Sequence, residues 1–440
     1  MAHNNTFCGG EPCWANACVG NNGNPSYVEY SKGFSQAANV LIDLVLSDHG
    51  INYLVDDLIY PVCFNMRHSI ELRLKGAIEE VVKISEIKGA KLYFDLPASH
   101  DIGKIWEFFR YESEKIDRRY IRINERLASI INDVSSVDST GQTFRYPVDK
   151  ESQKHLTDIS NINFLTLKIK FNELEADLDT LHRINIFLKE EYRLNTFTRS
   201  MSRADLFDLA NELPKREAWN EDGFKETKLN LREKYSLSSN ELSKAINIIS
   251  NNYEMAEKIG IVLPLLALDY EILCLVLDRW IRVNPRVSNR NLDDNSFEEL
   301  DFNNLSDLVK TFEISKNMEL NKEDVWSELS SVITPEILAG LKSLFYFKGD
   351  FFSEYYIYKY EFELTEAKLN FGSERFKESF LHLYSKANLI DCFILSIFKL
   401  GNKNIAERII EKYGLEDAFE WITEMREGRY FSMPEVFGYR

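Results

Sequence analysis

One long helix, predicted from Leu58 to Val82, constrains the fold of this chain more than any other segment. Its apolar residues recur at steps of three and four, as on one face of a helix with 3.6 residues per turn. The members of this stripe are Ile59, Cys63, Met66, Ile70, Leu74, Ala77 and Val81. Tyr60, Phe64 and Leu72 make much of the remaining helix surface apolar as well. Because a helix that is apolar on more than one side belongs inside a domain, the segment predicts a helical bundle built around it.

A line of charge runs along the same helix and consists of Arg67, His68, Glu71 and Lys75. Steps of three and four residues place these side chains next to one another. Ionised groups inside a bundle cost several kcal/mol unless they are paired. The line therefore predicts either a paired internal network, in which Glu71 accepts from Arg67, or a site that binds a nucleotide or RNA. Both alternatives stay open from the sequence.

The other elements predict a mainly α protein. We expect a small β-hairpin around Lys88-Gly89, and then one long helix over residues 100–134 with Ser99 as its N-cap. A further helix is expected over residues 163–192, which completes a four-helix bundle with one insert. Closely spaced shorter helices follow and predict a C-terminal region of helical hairpins. The aromatic run FFSEYYIYKYEFEL is compatible with either a strand or a surface helix.

Composition shifts along the chain predict five regions. The N-terminal segment is rich in Gly, Asn and Cys, and a polar, acidic stretch with Pro285 is the best linker candidate. The predicted boundaries are 1–25 for the N-terminal segment, 26–200 for the bundle, 201–284 for a middle helical region, 285–305 for the linker and 306–440 for a C-terminal helical domain.

The bundle segment resembles the HEPN superfamily. The resemblance is carried by YPVCFNMRHSIELRLK on the central helix and by SHDIGKIW from Ser99, and it covers about the first 200 residues. It implies a HEPN-like bundle that pairs as a homodimer and contacts RNA or a nucleotide. It also implies metal-independent RNA cleavage, in which a His handles a proton and an Arg steadies the phosphate. In this chain Arg67, His68, Glu71 and His100 are the catalytic candidates that the resemblance supplies.

The chain departs from the family pattern at the catalytic pair. HEPN nucleases place four to six residues between the Arg and the His, whereas Arg67 and His68 are adjacent, so their side chains leave the helix about 100° apart. Arg375 and His382 have the family spacing, with six residues between them. They lie outside the resembling segment, and we interpret them as a chance match on a helix surface.

Three further residues are candidates for contact with RNA or a nucleotide. Arg145, in the sequence FRYP, is expected to face a phosphate, and Pro147 restricts the backbone of its loop. Asp101 starts the helix that follows the hairpin, and Lys75 ends the charged line on the central helix. The bundle is expected to bring Asp101 and His100 close to that line.

Cysteine spacing leaves two alternatives for the N-terminal segment. Cys8, Cys13 and Cys18 are evenly spaced, and with His3 they have the ligand types of a tetrahedral zinc site. A five-residue spacing is not the usual zinc-knuckle pattern, so a Gly- and Asn-rich loop with reduced thiols is the other interpretation. Apart from this structural zinc, the sequence predicts no cofactor.

Charge and hydropathy set the remaining expectations. A net charge of −17 means that any nucleic acid must be met through a local basic patch or a second subunit. No run reaches the roughly 20 apolar residues of a membrane helix, and the first residues lack a signal-peptide pattern, which predicts a cytoplasmic protein. The sequence contains no P-loop, Rossmann glycine pattern, His-Glu-x-x-His or nucleophile elbow.

Two hypotheses about function follow. The first is a bacterial conflict or antiphage-defence protein, either an effector or an effector subunit, that is toxin-like and contacts RNA. The second is a catalytically inert helical scaffold, in which the bundle is a docking platform and the C-terminal helical region binds a protein partner.

Overall fold

A computed structural model of the chain describes residues 4–221, 223–283, 323–431 and 433–439. The fold is mainly helical, as predicted, and no strand occurs within these ranges. The chain divides into two compact units, Met1–Arg193 and Leu194–Arg440. The predicted linker, residues 285–305, lies outside the described residues.

Unit 1 contains five α-helices. Their bounds are α1 Tyr27–Asp48, α2 Val55–Ile87, α3 Ile102–Ile116, α4 Tyr120–Asp138 and α5 Phe164–Arg193. The central helix of the sequence prediction is α2, and it is buried along most of its length. Its apolar stripe, including Ile70, Leu74 and Val81, is almost fully excluded from solvent. The prediction of a buried helix at the centre of the unit is therefore confirmed.

The β-hairpin predicted around Lys88-Gly89 is replaced by one more turn of α2 and an irregular segment. Ile84 and Ser85 continue the buried face of the helix, which explains why the β-prone run KISEI is helical. Gly89, with φ 76°, then allows the Ala90 N–H to donate to the Ser85 carbonyl at 2.9 Å. This left-handed ending stops the helix without starting a strand.

The single helix predicted after Ser99 is two helices, α3 and α4. Its N-cap is Asp101 instead of Ser99, because the Asp101 carboxylate accepts from the Gly103 and Lys104 N–H groups. The break falls at Asp117, whose backbone is extended. Its buried carboxylate accepts from the backbone N–H and the guanidinium of Arg119, so the local hydrogen bonds compete with helix continuation.

The described residues of unit 2 form short helices around two apolar cores. Its α-helices are α6 Arg203–Glu212, α7 Gly223–Lys234, α8 Ser239–Ser250, α9 Tyr253–Lys258, α10 Tyr270–Val283, α11 (residues 323–329), α12 Pro335–Phe347, α13 Glu354–Asn370, α14 Glu374–Tyr384, α15 Leu389–Lys399, α16 Lys403–Tyr413 and α17 Ile422–Arg426. Helices α6 to α9 build the first core, around residues such as Leu209 and Ile249. The second core joins Trp280 of α10 to Phe393 of α15, so residues from both sides of the predicted linker share it.

The aromatic run FFSEYYIYKYEFEL forms the end of a loop and most of helix α13, which decides between the two predicted alternatives. Among the described helices, none is by itself long and apolar enough to cross a membrane, and one pair, α14 with α15, meets the length and composition criteria but is bent by 86°.

Candidate functional site

The charged line on α2 forms a buried cluster centred on the Glu71 carboxylate. One oxygen, Oε2, accepts from Arg67 Nη1. The other, Oε1, lies 2.8 Å from Lys75 Nζ and 3.1 Å from His100 Nδ1. The side chains of Arg67, Glu71 and Lys75 are only 3–4% exposed. The four-residue steps thus bring three of the predicted residues together, and the start of α3 adds His100.

Arg67 uses its remaining donors on backbone carbonyls. Its Nε donates to the Asp138 carbonyl at 3.2 Å, and its Nη2 donates to the Ser139 carbonyl at 2.7 Å and to the His100 carbonyl. The guanidinium therefore connects α2 to the end of α4 and to His100, just before the N-cap of α3. Gly141, with φ 77°, fits this arrangement, since a Cβ there would lie 3.2 Å from Arg67 Nη1.

The electrostatics of the cluster keep Glu71 ionised. Burial by itself would raise the pKa of the Glu71 carboxyl, but the hydrogen bond from Lys75 and the charge of Arg67 hold that pKa below its ordinary value. Lys75, a predicted phosphate contact, is buried and paired with Glu71. To contact a phosphate, Arg67 or Lys75 would have to break its ion pair with Glu71.

His68 lies apart from this cluster, as the adjacency of Arg67 and His68 predicts. Its half-buried ring meets the edge of Phe34 at 4.4 Å between centroids and stacks on Phe64 at 5.9 Å. Burial lowers the pKa of the His68 imidazole, which favours the neutral form. The two adjacent residues therefore do not converge on one phosphate.

His100 and Asp101 have different environments although they are neighbours. The His100 side chain is 63% exposed, so it is the solvent-facing member of the Glu71 cluster. Asp101, a predicted ligand contact, is the N-cap of α3 and accepts from the Gly103 N–H at 3.0 Å. Of these two side chains, the Asp101 carboxylate is used in capping α3, whereas the His100 imidazole is accessible to solvent.

A pocket of about 850 Å³ lies between the N-terminal part of α2 and residues 143–164. Its lining includes three basic side chains, Arg145, Lys154 and His155, and one carboxylate, Asp56. Within the described part of the chain, neither Arg145 nor Lys154 forms an ion pair with a carboxylate. Tyr60 and Tyr146 add aromatic walls. We call the three basic and two aromatic residues the basic pocket.

Arg145 connects the basic pocket to the aromatic group around His68. Its guanidinium lies 5.7 Å from the Phe64 ring centroid and 5.2 Å from that of Tyr146, and its Nη2 donates to the Tyr146 hydroxyl at 3.1 Å. Contacts with two rings hold an exposed cation in place. Lys154 and His155 were missed by sequence reasoning, because they lie in a polar turn whose approach to α2 depends on the tertiary fold.

The N-terminal cysteines are exposed and are not assembled into a metal site. The Cys13 thiol donates to Glu11 Oε1 at 3.2 Å, and the Cys8 thiol donates to the Asn5 carbonyl at 3.6 Å. No cluster of three or more metal-ligating side chains is present among residues that the structure describes, and His3 lies outside them. All three cysteines are exposed, and no buried core of this segment brings Cys8, Cys13 and Cys18 together among the described residues.

Arg375 and His382 lie on α14 in unit 2, where both are exposed. Seven residues correspond to two helical turns, or about 10 Å along the axis. The pair is thus spread along one helix of unit 2, whereas the other catalytic candidates belong to unit 1.

The fold and the cluster define a mainly helical protein whose first unit carries a buried ionic centre beside a basic pocket. In comparisons with known proteins, no family model matches the chain, and no curated protein and no solved structure is similar to it.

Proposed function

We propose that the chain is a HEPN-like bacterial conflict or antiphage-defence protein, an effector or effector subunit that contacts RNA or a nucleotide through unit 1. The sequence resemblance is carried by two segments, and these meet where Glu71 of α2 contacts His100. This contact supports treating the two segments as parts of one site. The proposal rests chiefly on the basic pocket.

The chemistry of the basic pocket suits a phosphorylated aromatic ligand. The chain as a whole carries a charge of −17 and repels polyanions. Binding of RNA or a nucleotide therefore requires local cations that are not already paired with carboxylates. Arg145 and Lys154 supply such cations, and Tyr60 and Tyr146 supply ring faces. Bases stack on aromatic side chains, and Arg recognises phosphate oxygens through charge-assisted hydrogen bonds. A volume of about 850 Å³ accommodates a nucleotide unit.

For cleavage, the proposal assigns the proton-transfer role to His100. Its imidazole faces solvent, and its Nδ1 lies 3.1 Å from a Glu71 oxygen that orients the ring. A positioned His of this kind is the usual general acid or base. Arg67 has the positioning role in this scheme, because it holds the two helix ends that flank the imidazole.

The test measures binding and cleavage on the full-length protein. Fluorescence anisotropy with a labelled single-stranded oligoribonucleotide is compared for wild type, for Arg145→Ala with Lys154→Ala, and for Lys150→Ala as a control. Lys150 is an exposed lysine of the same loop that does not line the pocket. We expect the double variant to bind about tenfold or more weakly and to have a shallower salt dependence, since two phosphate contacts are lost.

Cleavage of the same oligoribonucleotide is followed with His100→Ala and with EDTA present. Loss of cleavage in His100→Ala, with EDTA having no effect, supports the metal-independent mechanism. Equal binding by the double variant and Lys150→Ala would remove the basic pocket from the proposal.

The second candidate function is the inert scaffold, and one specific observation favours it. Arg67 and Lys75, the two cations of the predicted charged line on the central helix, are both buried and paired with Glu71. If wild type and His100→Ala show neither binding nor cleavage, the result favours the inert scaffold over the RNA-contacting effector.

A further inference from the structure

Helix α13 of unit 2 presents an apolar face to solvent. Tyr358, Phe362, Thr365 and Leu369 lie within about 60° of one another around the helix axis. Phe362 is 66% exposed and Leu369 is 79% exposed. The opposite face, with Tyr356 and Ala367, is buried in the core of the unit. The helix therefore has two apolar faces and uses only one of them within the chain.

Two aromatic residues extend this face at its ends. Phe351 precedes the N-terminal end of α13 and is 61% exposed, and Phe371 follows its C-terminal end and is 60% exposed. Single exposed apolar residues are ordinary, but a contiguous set along one helix marks an interaction surface. We call this set, from Phe351 to Phe371, the α13 face.

One lysine and one glutamate flank the α13 face on each side. From the N-terminal to the C-terminal end of the helix, the lysine comes first on one side and the glutamate comes first on the other. Lys359 and Glu366 lie on one side, and Glu361 and Lys368 lie on the other, each about 70–90° from the centre of the face. Glu361 and Glu366 form no ion pair within the described residues. Lys359 and Lys368 lie 3.3 Å and 3.5 Å from acidic neighbours on their own chain. Each side thus carries one lysine and one free glutamate.

We propose that the α13 face binds the α13 face of a second copy of this chain as an antiparallel two-fold pair. A two-fold axis that passes level with Glu363 and Leu364 places Tyr358 of one copy level with Leu369 of the other. The same axis places Phe362 level with Thr365, so each large ring meets a smaller side chain. The apolar residues of the face are therefore complementary to themselves, as an isologous interface requires.

The flanking charges match in the same arrangement. In an antiparallel pair related by this axis, each side of one helix meets the same side of the other. Lys359 of one copy then faces Glu366 of the second copy, and Glu361 faces Lys368, with an axial offset of two residues, or about 3 Å. A parallel pair would instead bring Lys359 near Glu361 and Glu366 near Lys368, so the apolar residues decide the antiparallel orientation and the flanking charges are compatible with it. Such rim charges contribute to specificity more than to affinity.

Phe351 and Phe371, at the two ends of the α13 face, add buried interface area beyond that of the central residues. In the antiparallel arrangement, Phe371 of each copy comes level with the N-terminal end of the other α13, near its Phe351. A stable interface buries about 1,200 Å² or more in total, which requires these aromatic ends in addition to the central residues. The interface is independent of the nucleotide contact proposed for unit 1.

The test is the oligomeric state of the full-length chain by sedimentation velocity over a range of concentrations. The expected species has twice the 51.3 kDa mass of one chain. Phe362→Glu should weaken the dimer by about 100-fold or more, because a charge is buried twice at the centre of the pair. Leu229→Glu is the matched control, since Leu229 is an exposed leucine on α7 of the same unit. It should leave the dimer unchanged.

A charge exchange tests the antiparallel arrangement itself. Glu361→Lys alone should weaken the dimer, and addition of Lys368→Glu in the same chain should restore it. The four substituted positions, Phe362, Leu229, Glu361 and Lys368, are all exposed. Circular dichroism and thermal unfolding of each variant should therefore match wild type. A monomeric wild type, a dimer that Phe362→Glu leaves intact, or a failure of the second exchange to restore dimerisation would each overturn the proposal.

Discussion

The buried Arg67–Glu71 pair of unit 1 and the buried Arg203–Glu354 pair of unit 2 are built in different ways. In unit 1, Arg67 and Glu71 are four residues apart on one helix. In unit 2, Arg203 of α6 and Glu354 of α13 are 151 residues apart, and two parallel bonds of 2.9 and 3.0 Å join them. Both guanidinium groups are almost fully buried. The two pairs differ in the solvent exposure of the other hydrogen-bond partners of each carboxylate.

The Glu354 carboxylate of the unit 2 pair lies among buried donors. Glu354 also accepts from the Thr196 hydroxyl at 2.6 Å and from the Asn252 amide at 2.8 Å, and both donors are buried. Burial would raise the pKa of the Glu354 carboxyl, but Arg203 holds that pKa below its ordinary value. In unit 1, by contrast, the last partner of Glu71 is the exposed His100. A closed network has only a structural use, whereas an open one leaves a titratable group where a ligand can reach it.

Removing Glu354 gives the largest expected effect. Glu354→Ala leaves the Arg203 charge buried with fewer partners, and we expect the free energy of unfolding to fall by about 3–5 kcal/mol. The measurement is urea unfolding followed by circular dichroism. The control is Glu378→Ala at an exposed position of α14, which should stay within about 0.5 kcal/mol of wild type. Equal urea-unfolding midpoints for the two variants would contradict this prediction. They would mean that Arg203 becomes hydrated when Glu354 is removed.

Removing Glu71 should have a smaller effect. Glu71→Ala leaves Arg67 and Lys75 unpaired, but the cluster is open at His100 and admits water, so we expect a loss of about 2–3 kcal/mol. Glu86→Ala, at an exposed position of α2, is the control. If Glu71→Ala is as damaging as Glu354→Ala, the unit 1 cluster is as closed as the unit 2 pair, and the comparison between them fails.

The comparison also shows which features a sequence can predict. The Arg67, Glu71 and Lys75 contacts follow from steps of four on a strongly periodic helix, so the sequence predicts them together with the burial of α2. Nothing local links Arg203 to Glu354, because their contact depends on how α6 and α13 pack. For the same reason Lys154 and His155 could not be placed in the basic pocket.

The two wrong details of the predicted bundle have a common cause. The segment after Lys83 has β-branched residues and a Lys-Gly turn signal, but burial of Ile84 decides in favour of helix. The break at Asp117 arises from a buried charge network with Arg119 and Glu191, and Glu191 lies on α5. In both places a tertiary contact overrides the local preference.

The third prediction concerns His68 and is the smallest of the three effects. Burial lowers the pKa of His68 below its ordinary value of about 6.5, against a smaller opposing effect of Glu71 and with Arg67, Lys75 and His100 acting in the same direction as burial. Below about pH 6.5 the unfolded chain therefore binds more protons at this residue than the folded chain does. The stability that the neutral ring provides is present above pH 6.5 and is lost as the pH falls toward the folded pKa.

His68→Phe should remove this pH dependence, since a phenyl ring fits between Phe34 and Phe64 and does not titrate. The measurement is the free energy of unfolding of both proteins at several pH values between 7.5 and 5, as rough limits that bracket the ordinary His pKa. Burial also lowers the pKa of His182, which acts in the same range, so the difference between the two proteins reports on His68 alone. Parallel curves would show that the His68 ring is as accessible to protons in the folded chain as in the unfolded one. That result would place His68, with His100, on the open side of the Glu71 cluster.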